Sequence, residues 1–268
     1  MTPTEPSSPP DSIRRWATLL AIVAAFAVNI WTNIDPVNGL NVGQISDQFF
    51  ADVKIIPASY AFSIWGLIYL GLFALGIYQV LPGQRDNTHL DQMGYGLVLA
   101  SLAQIAWIFL FLYRLFSLSV AAMAIILLSL IYSYLNLDVG RVRVPKLEAW
   151  FVNVPLSIYM GWISVATIVN VAIALYTLNW NGWGLAPSVW TAILIVVAAT
   201  IAILMRVRHR ETAYPLVMIW ALIAIAINQA DEPLIVTTAL MASLVIALYG
   251  FGSTILRSSP SVPESGEN

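Results

Sequence analysis

Three short clusters of residues carry side chains suited to holding a molecule. Phe62, Trp65 and Tyr69 recur at i, i+3 and i+7, which puts them on one face of a helix. Gln104 and Trp107 share a face by the same spacing, and so do Trp162, Ala166 and Asn170. Together they offer aromatic rings, indole N–H donors and two carboxamides. Such a set suits a large, flat, mostly apolar ligand with a few polar edges. It also suits packing, because deep Trp and Asn residues often simply hold helices together in lipid. Nothing comparable points to covalent chemistry. There is no Ser/His/Asp set, no facing pair of carboxylates and no Gly-rich phosphate loop, so no catalytic residue is expected and the chain reads as a non-enzyme. Cysteine is absent, which removes disulfides, thiolate metal ligands and a cysteine nucleophile. His89 and His209 fall in separate connecting segments, too isolated for a zinc site or for axial ligation of a haem within a bundle. No metal site and no resident cofactor are expected.

The elements that must position these side chains are membrane helices. The chain is 59% hydrophobic and only 10% charged, where a soluble domain carries about 25% charged residues. A surface so poor in charge belongs in lipid. The net charge of −2 offers no basic patch for a nucleic acid. A spanning helix needs about 20 apolar residues to cross a hydrocarbon core of about 30 Å. Eight runs qualify: 13–33, 57–81, 95–115, 117–136, 150–178, 188–207, 213–230 and 234–256. A barrel strand would instead alternate apolar and polar residues over about ten positions. The expected fold is therefore an all-α, multi-pass integral membrane protein with about eight transmembrane helices. Residues 1–12 and 258–268, rich in Pro, Ser, Glu and Gly, read as disordered tails.

Charge in the loops sets an expected orientation. With the N-terminus inside, Arg14, Arg15, Arg85, Arg141, Arg143, Lys146, Arg206, Arg208, Arg210 and Arg257 all fall on the inner side. Only Lys54 and Arg114 fall outside. Eight crossings preserve this alternation and put both termini in the cytoplasm, as suits a bacterial plasma membrane. A rival reading takes Arg14, Arg15 and Ala25-Phe26-Ala27 as a cleaved signal peptide, leaving seven crossings. The apolar run continues to Trp31, which suits an uncleaved span. No ionisable residue sits clearly at mid-membrane, which argues against an ion pump or a proton-driven antiporter. The outer loop 34–56 reads either as a lid or binding loop or as a connector with a short surface helix.

Depth separates the tryptophans. Trp16, Trp31, Trp150, Trp180, Trp183 and Trp190 fall at segment ends, the usual interfacial place. Trp65 and Trp107 lie roughly 12 Å below the outer face, at about 1.5 Å per residue, and Trp162 lies near the midplane. An indole N–H at that depth needs an acceptor.

These residues also carry a resemblance. The stretch from Pro57 to Tyr69, with Tyr60, Phe62 and Trp65, resembles the second-helix signature of the TspO/MBR family of tryptophan-rich sensory or translocator proteins. Gln104 and Trp107, followed by Phe109 and Phe111, are similar to its third helix. Pro155, Trp162, Ala166, Asn170 and Asn179 are similar to its fifth. The resemblance covers residues 13–180 and implies a five-helix membrane bundle, leaving three additional helices over 181–257. It implies binding of a tetrapyrrole such as porphyrin or haem, taken as a ligand for sensing or transport, at Phe62, Trp65, Tyr69, Gln104, Trp107, Trp162 and Asn170. The sequence departs from the family pattern in three places. Phe62 and Trp65 are one residue closer together, Ile105 and Ala106 precede Trp107, and Phe49 and Phe50 stand where the family has a tryptophan-bearing lid. Besides lipid, the partners in view are such a hydrophobic small molecule and a second copy of the chain. Rival classes are a transporter of a small amphipathic metabolite or lipid, a membrane accessory subunit with no small-molecule ligand, and an enzyme of porphyrin or lipid turnover. In the additional helices, Trp220, Ala224 and Asn228 repeat the spacing of Trp162, Ala166 and Asn170.

Overall fold

Backbone N–H and C=O groups in lipid have only one another for partners, so each apolar run folds into a helix. The computed structural model describes residues 9–255. In it α1 (Pro9–Ile34) is followed by α2 (Val42–Phe49) and by a 3-10 turn (Ser59–Ser63) that leads into α3 (Ile64–Val80). A short α4 (Thr88–Asp91) precedes α5 (Gly96–Leu112) and α6 (Phe116–Asn136). The single turn α7 (Lys146–Glu148) runs through a π turn (Ala149–Asn153) into α8 (Val154–Thr177). The chain ends with α9 (Pro187–His209), α10 (Ala213–Asn228) and α11 (Pro233–Ile255). There is no strand among the described residues. Five stretches are long and apolar enough to cross a membrane: Ser12–Ile34, Ser59–Val80, Phe116–Asn136, Lys146–Thr177 and Pro187–His209. Three further apolar helices, Gly96–Leu112, Ala213–Asn228 and Pro233–Tyr249, are shorter. The protein is thus an all-helical, multi-helix membrane protein, with an apolar helix at each of the eight expected places. The two expected tails lie outside the described residues, except that Pro9–Ser12 already belong to α1.

Five helices close a ring. In order around it, α1, α3, α8, α6 and α5 each pack on the next, and α5 returns to α1. Small residues let backbones approach where hydrophobic burial cannot drive association. A Cβ on Gly71 of α3 would lie 2.9 Å from the Pro155 ring of α8. One on Gly96 of α5 would lie 2.8 Å from the Ser129 carbonyl of α6. The last three helices form a second group, in which α9, α10 and α11 pack on one another. Its main attachment to the ring is α10 against α8.

At the end of the bundle that holds Arg14 and Arg15, charged side chains tie loops together instead of facing water. Arg14 and Arg15 are both buried and reach one Asp91 oxygen at 2.8 and 2.7 Å. The histidine expected to be isolated is a latch: His89 Nδ1 lies 2.5 Å from Glu148 and Nε2 lies 3.0 Å from the Leu137 carbonyl. Glu211, in the turn between α9 and α10, accepts hydrogen bonds from the Ala213 and Tyr214 amides at 2.8 and 2.7 Å. This caps α10, and burial pushes the Glu211 carboxyl above its usual range.

Candidate ligand cavity

The ring does not fill its own interior near α2. A cavity of about 390 Å³ remains there, within the size range of small-molecule sites. Asn29, Ile30, Thr32 and Asn33 of α1 form one wall. Pro57, Ser59 and Phe62, on the entry to α3, form another together with Trp65. α5 supplies Trp107, Ile108 and Phe111, and α8 supplies a long wall from Trp162 to Ile173. Asn41, Val42, Gly43 and Ser46, at the start of α2, make the roof. None of the lining side chains is charged. Ile30, Asn33 and Ser59 line the cavity yet are exposed, so it opens along the edge between α1 and the entry to α3.

Five of the seven residues singled out by sequence meet in this space: Phe62, Trp65, Trp107, Trp162 and Asn170. Phe62 packs edge-on against Trp162, with centroids 5.7 Å apart. The acceptor that Trp107 needs is on another helix. Its indole N–H donates to Asn170 Oδ1 at 2.7 Å, and the Asn170 amide donates to Ser119 Oγ at 2.9 Å. The Ser119 hydroxyl in turn donates to the Phe116 carbonyl at 2.8 Å. Asn170 therefore orients Trp107 and ties α8 to α5 and α6. Trp65 and Trp162 are different. Both line the cavity, and among the described residues neither indole N–H has a protein acceptor. Two donors are thus available in an aromatic, uncharged space.

Tyr69 and Gln104 do not line the cavity. They lie one helical turn further from α2 and form part of its floor. Gln104 donates to the Tyr69 hydroxyl at 2.7 Å, the Tyr159 hydroxyl donates to Gln104 Oε1, and Tyr69 OH lies 3.4 Å from the Ala25 carbonyl. This chain links α1, α3, α5 and α8. Sequence reasoning missed Tyr159, although it precedes Trp162 by three residues and so shares its face. It also missed the polar wall of α1. Asn29, Thr32 and Asn33 fall at i, i+3 and i+4 in an otherwise apolar run, which was the available signal.

The loop 34–56 contains both features expected of it as alternatives. It holds a short helix, α2, and that helix covers the cavity. Asn41 and Gln44 form a reciprocal capping box at the start of α2. Asn38 donates to the Leu112 carbonyl at 3.0 Å. Phe49 and Phe50 do not line the cavity in place of a tryptophan lid; they anchor the roof. The Arg114 guanidinium lies 4.4 Å above the Phe49 ring. Phe50 is buried edge-on against Phe116, with centroids 5.0 Å apart.

Trp220 and Asn228, which repeat the spacing of Trp162 and Asn170, lie outside the cavity. The Trp220 indole donates to the Ala61 carbonyl at 3.2 Å, and the Asn228 amide donates to the Ile56 carbonyl at 3.0 Å. No group of three or more His, Cys, Asp or Glu residues suited to a metal ion occurs among the described residues.

A family model described as TSPO-like protein matches residues 15–252. The match covers the five-helix ring and continues through α9 and α10 into α11. No curated protein and no solved structure matches the chain.

Proposed function

This chain belongs to the TSPO-like family, and from that premise we propose that it binds a flat, largely apolar molecule of the tetrapyrrole type in the cavity beneath α2, for sensing or carriage and without chemical conversion. One observation carries the reading: Trp65 and Trp162 both line this aromatic space, and among the described residues neither indole N–H donates to a protein acceptor. A ligand that brings an acceptor would gain hydrogen bonds that these indoles do not make within the protein. The rings of Phe62, Trp65, Trp107 and Trp162 suit the faces and edges of a planar macrocycle. The uncharged lining favours its apolar body, and any carboxylates would lie at the open edge by Asn33 and Ser59, where water is at hand. The lining holds no His, Cys, Met or Tyr, so recognition would be of the macrocycle and not of a bound iron. In the orientation argued from the basic loops, the cavity sits in the outer half of the bilayer with both termini cytoplasmic.

The test is equilibrium binding of protoporphyrin to protein in lipid nanodiscs, read from the porphyrin absorbance. Ala166→Trp, which places a ring inside the cavity, is expected to abolish saturable binding. Saturable binding retained at wild-type affinity in that variant would put the ligand elsewhere.

A further inference from the structure

We propose that α10 is a working part of the ligand site: it holds the cavity wall in place and its stability depends on whether the cavity is occupied. The proposal rests on the functional reading above and extends it to the regulation of the same site. The wall in question is the irregular stretch 56–62, which supplies Pro57, Ser59 and Phe62. Irregular backbone at membrane depth persists only where other protein groups satisfy it. Here α10 provides them. Asn228 donates to the Ile56 carbonyl at 3.0 Å, the Ala58 amide donates to the Ala224 carbonyl at 3.0 Å, and Trp220 donates to the Ala61 carbonyl at 3.2 Å. The Tyr60 ring also packs edge-on against Trp220 at 5.1 Å. Three turns of one helix thus grip one short segment from outside, while the inner side of that segment faces the ligand space.

The packing behind this contact leaves room for adjustment. A small apolar void of about 10 Å³ lies between α8, α9 and α10. Val165 lines both this void and the ligand cavity. A ligand pressing on Phe62 and Val165 would therefore act on the two surfaces that α10 touches. Coupling of this kind is reciprocal: if α10 sets the wall for the ligand, the ligand must stabilise α10 to the same extent. Trp220 and Asn228 are on this account positioning residues, since neither lines the cavity.

The experiment compares wild type with Trp220→Phe, Asn228→Ala and Asn228→Gln in nanodiscs, with protoporphyrin as the probe. Trp220→Phe keeps one aromatic ring for Tyr60 to pack on and removes the donor. Affinity is expected to weaken roughly three- to tenfold in Trp220→Phe and Asn228→Ala, the loss of about one hydrogen bond. Asn228→Gln, which retains the carboxamide, should bind more tightly than Asn228→Ala. In wild type, porphyrin should slow amide hydrogen exchange over 225–232, a stretch that makes no part of the cavity. A purely architectural α10 would show no such ligand-dependent protection. Wild type that binds porphyrin without that protection overturns the coupling, and so do variants that bind with unchanged affinity. Wild type that binds no porphyrin overturns the functional reading itself. If a variant fails to fold, the wild-type exchange measurement decides alone.

Discussion

Gln104 pairs with two phenol hydroxyls at once, one from α3 and one from α8, so its loss leaves Tyr159 without a partner and Tyr69 with only the 3.4 Å contact to the Ala25 carbonyl. Gln104→Leu is expected to lower stability by about 1–2 kcal/mol, toward the upper end of membrane hydrogen-bond values. Thermal unfolding in detergent would show this, and an unchanged midpoint would contradict the floor described here. Asn170→Ala should act differently. It strands the Trp107 indole, leaving Ser119 only its bond to the Phe116 carbonyl, and frees the Trp107 ring to rotate, so ligand affinity should fall along with stability. At this scale, spacing within one helix was legible in the sequence. Trp162, Ala166 and Asn170 share a face on any α-helix, and the structure puts them on the cavity wall. What spacing alone did not tell is depth on that face. Tyr69 and Gln104 sit only one turn from Trp65 and Trp107, yet they belong to the floor, because the partner helix supplies Tyr159 at that level. Acceptors behaved likewise. The need of Trp107 for one followed from burial, but its identity, Asn170, depended on how α5 and α8 meet.

The helices themselves follow from composition, since apolar runs of this length have no alternative in lipid. Their interruptions do not. The 3-10 turn at Ser59–Ser63 lies where α10 takes up the irregular backbone, and the π turn at Ala149–Asn153 leads straight into α8. Arg14 and Arg15, read from sequence only as loop charges on the inner side, are buried against Asp91, a contact that needs the α4 loop folded back over α1. Two predictions belong at this scale. Gly96→Val would drive side-chain atoms into the Ser129 carbonyl and the Ser133 hydroxyl. It should separate α5 from α6 and cost about 1–3 kcal/mol or more, measurable as lost yield and a lower unfolding temperature. Glu211 gives a pH dependence. Its folded carboxyl binds a proton more tightly than an unfolded one, because burial disfavours the charge. The stabilising contribution is therefore complete below about pH 4.5 and is lost as pH rises through the raised value. Wild type should lose stability over that window, and Glu211→Gln should flatten the profile. A wild-type curve already flat there would rule the effect out.

Across the whole molecule, the five-helix ring was legible as a family resemblance, and the family match then extended it to 252. The role of the last three helices was not legible, because Trp220 and Asn228 repeat the spacing of the cavity residues Trp162 and Asn170 while serving backbone carbonyls of 56–61. The chain's lack of cysteine makes its proposed orientation easy to test. A single cysteine at Asn38 or Asn181 should react with an impermeant thiol reagent outside intact cells, and one at Arg85 should not; the reverse pattern would invert the topology. The central claim, a ligand seated among the deep tryptophans, is tested most directly by quenching of intrinsic Trp fluorescence as protoporphyrin is titrated into nanodiscs. Wild type would be compared with Trp65→Phe, Trp107→Phe and Trp162→Phe, and with Trp183→Phe as the control, since Trp183 is 76% exposed and does not line the cavity. The account predicts saturable quenching that weakens in the three cavity variants and not in the control. Quenching that never saturates, or that is equal in all four variants, would mean that porphyrin merely partitions into lipid and that the deep tryptophans serve only to pack helices.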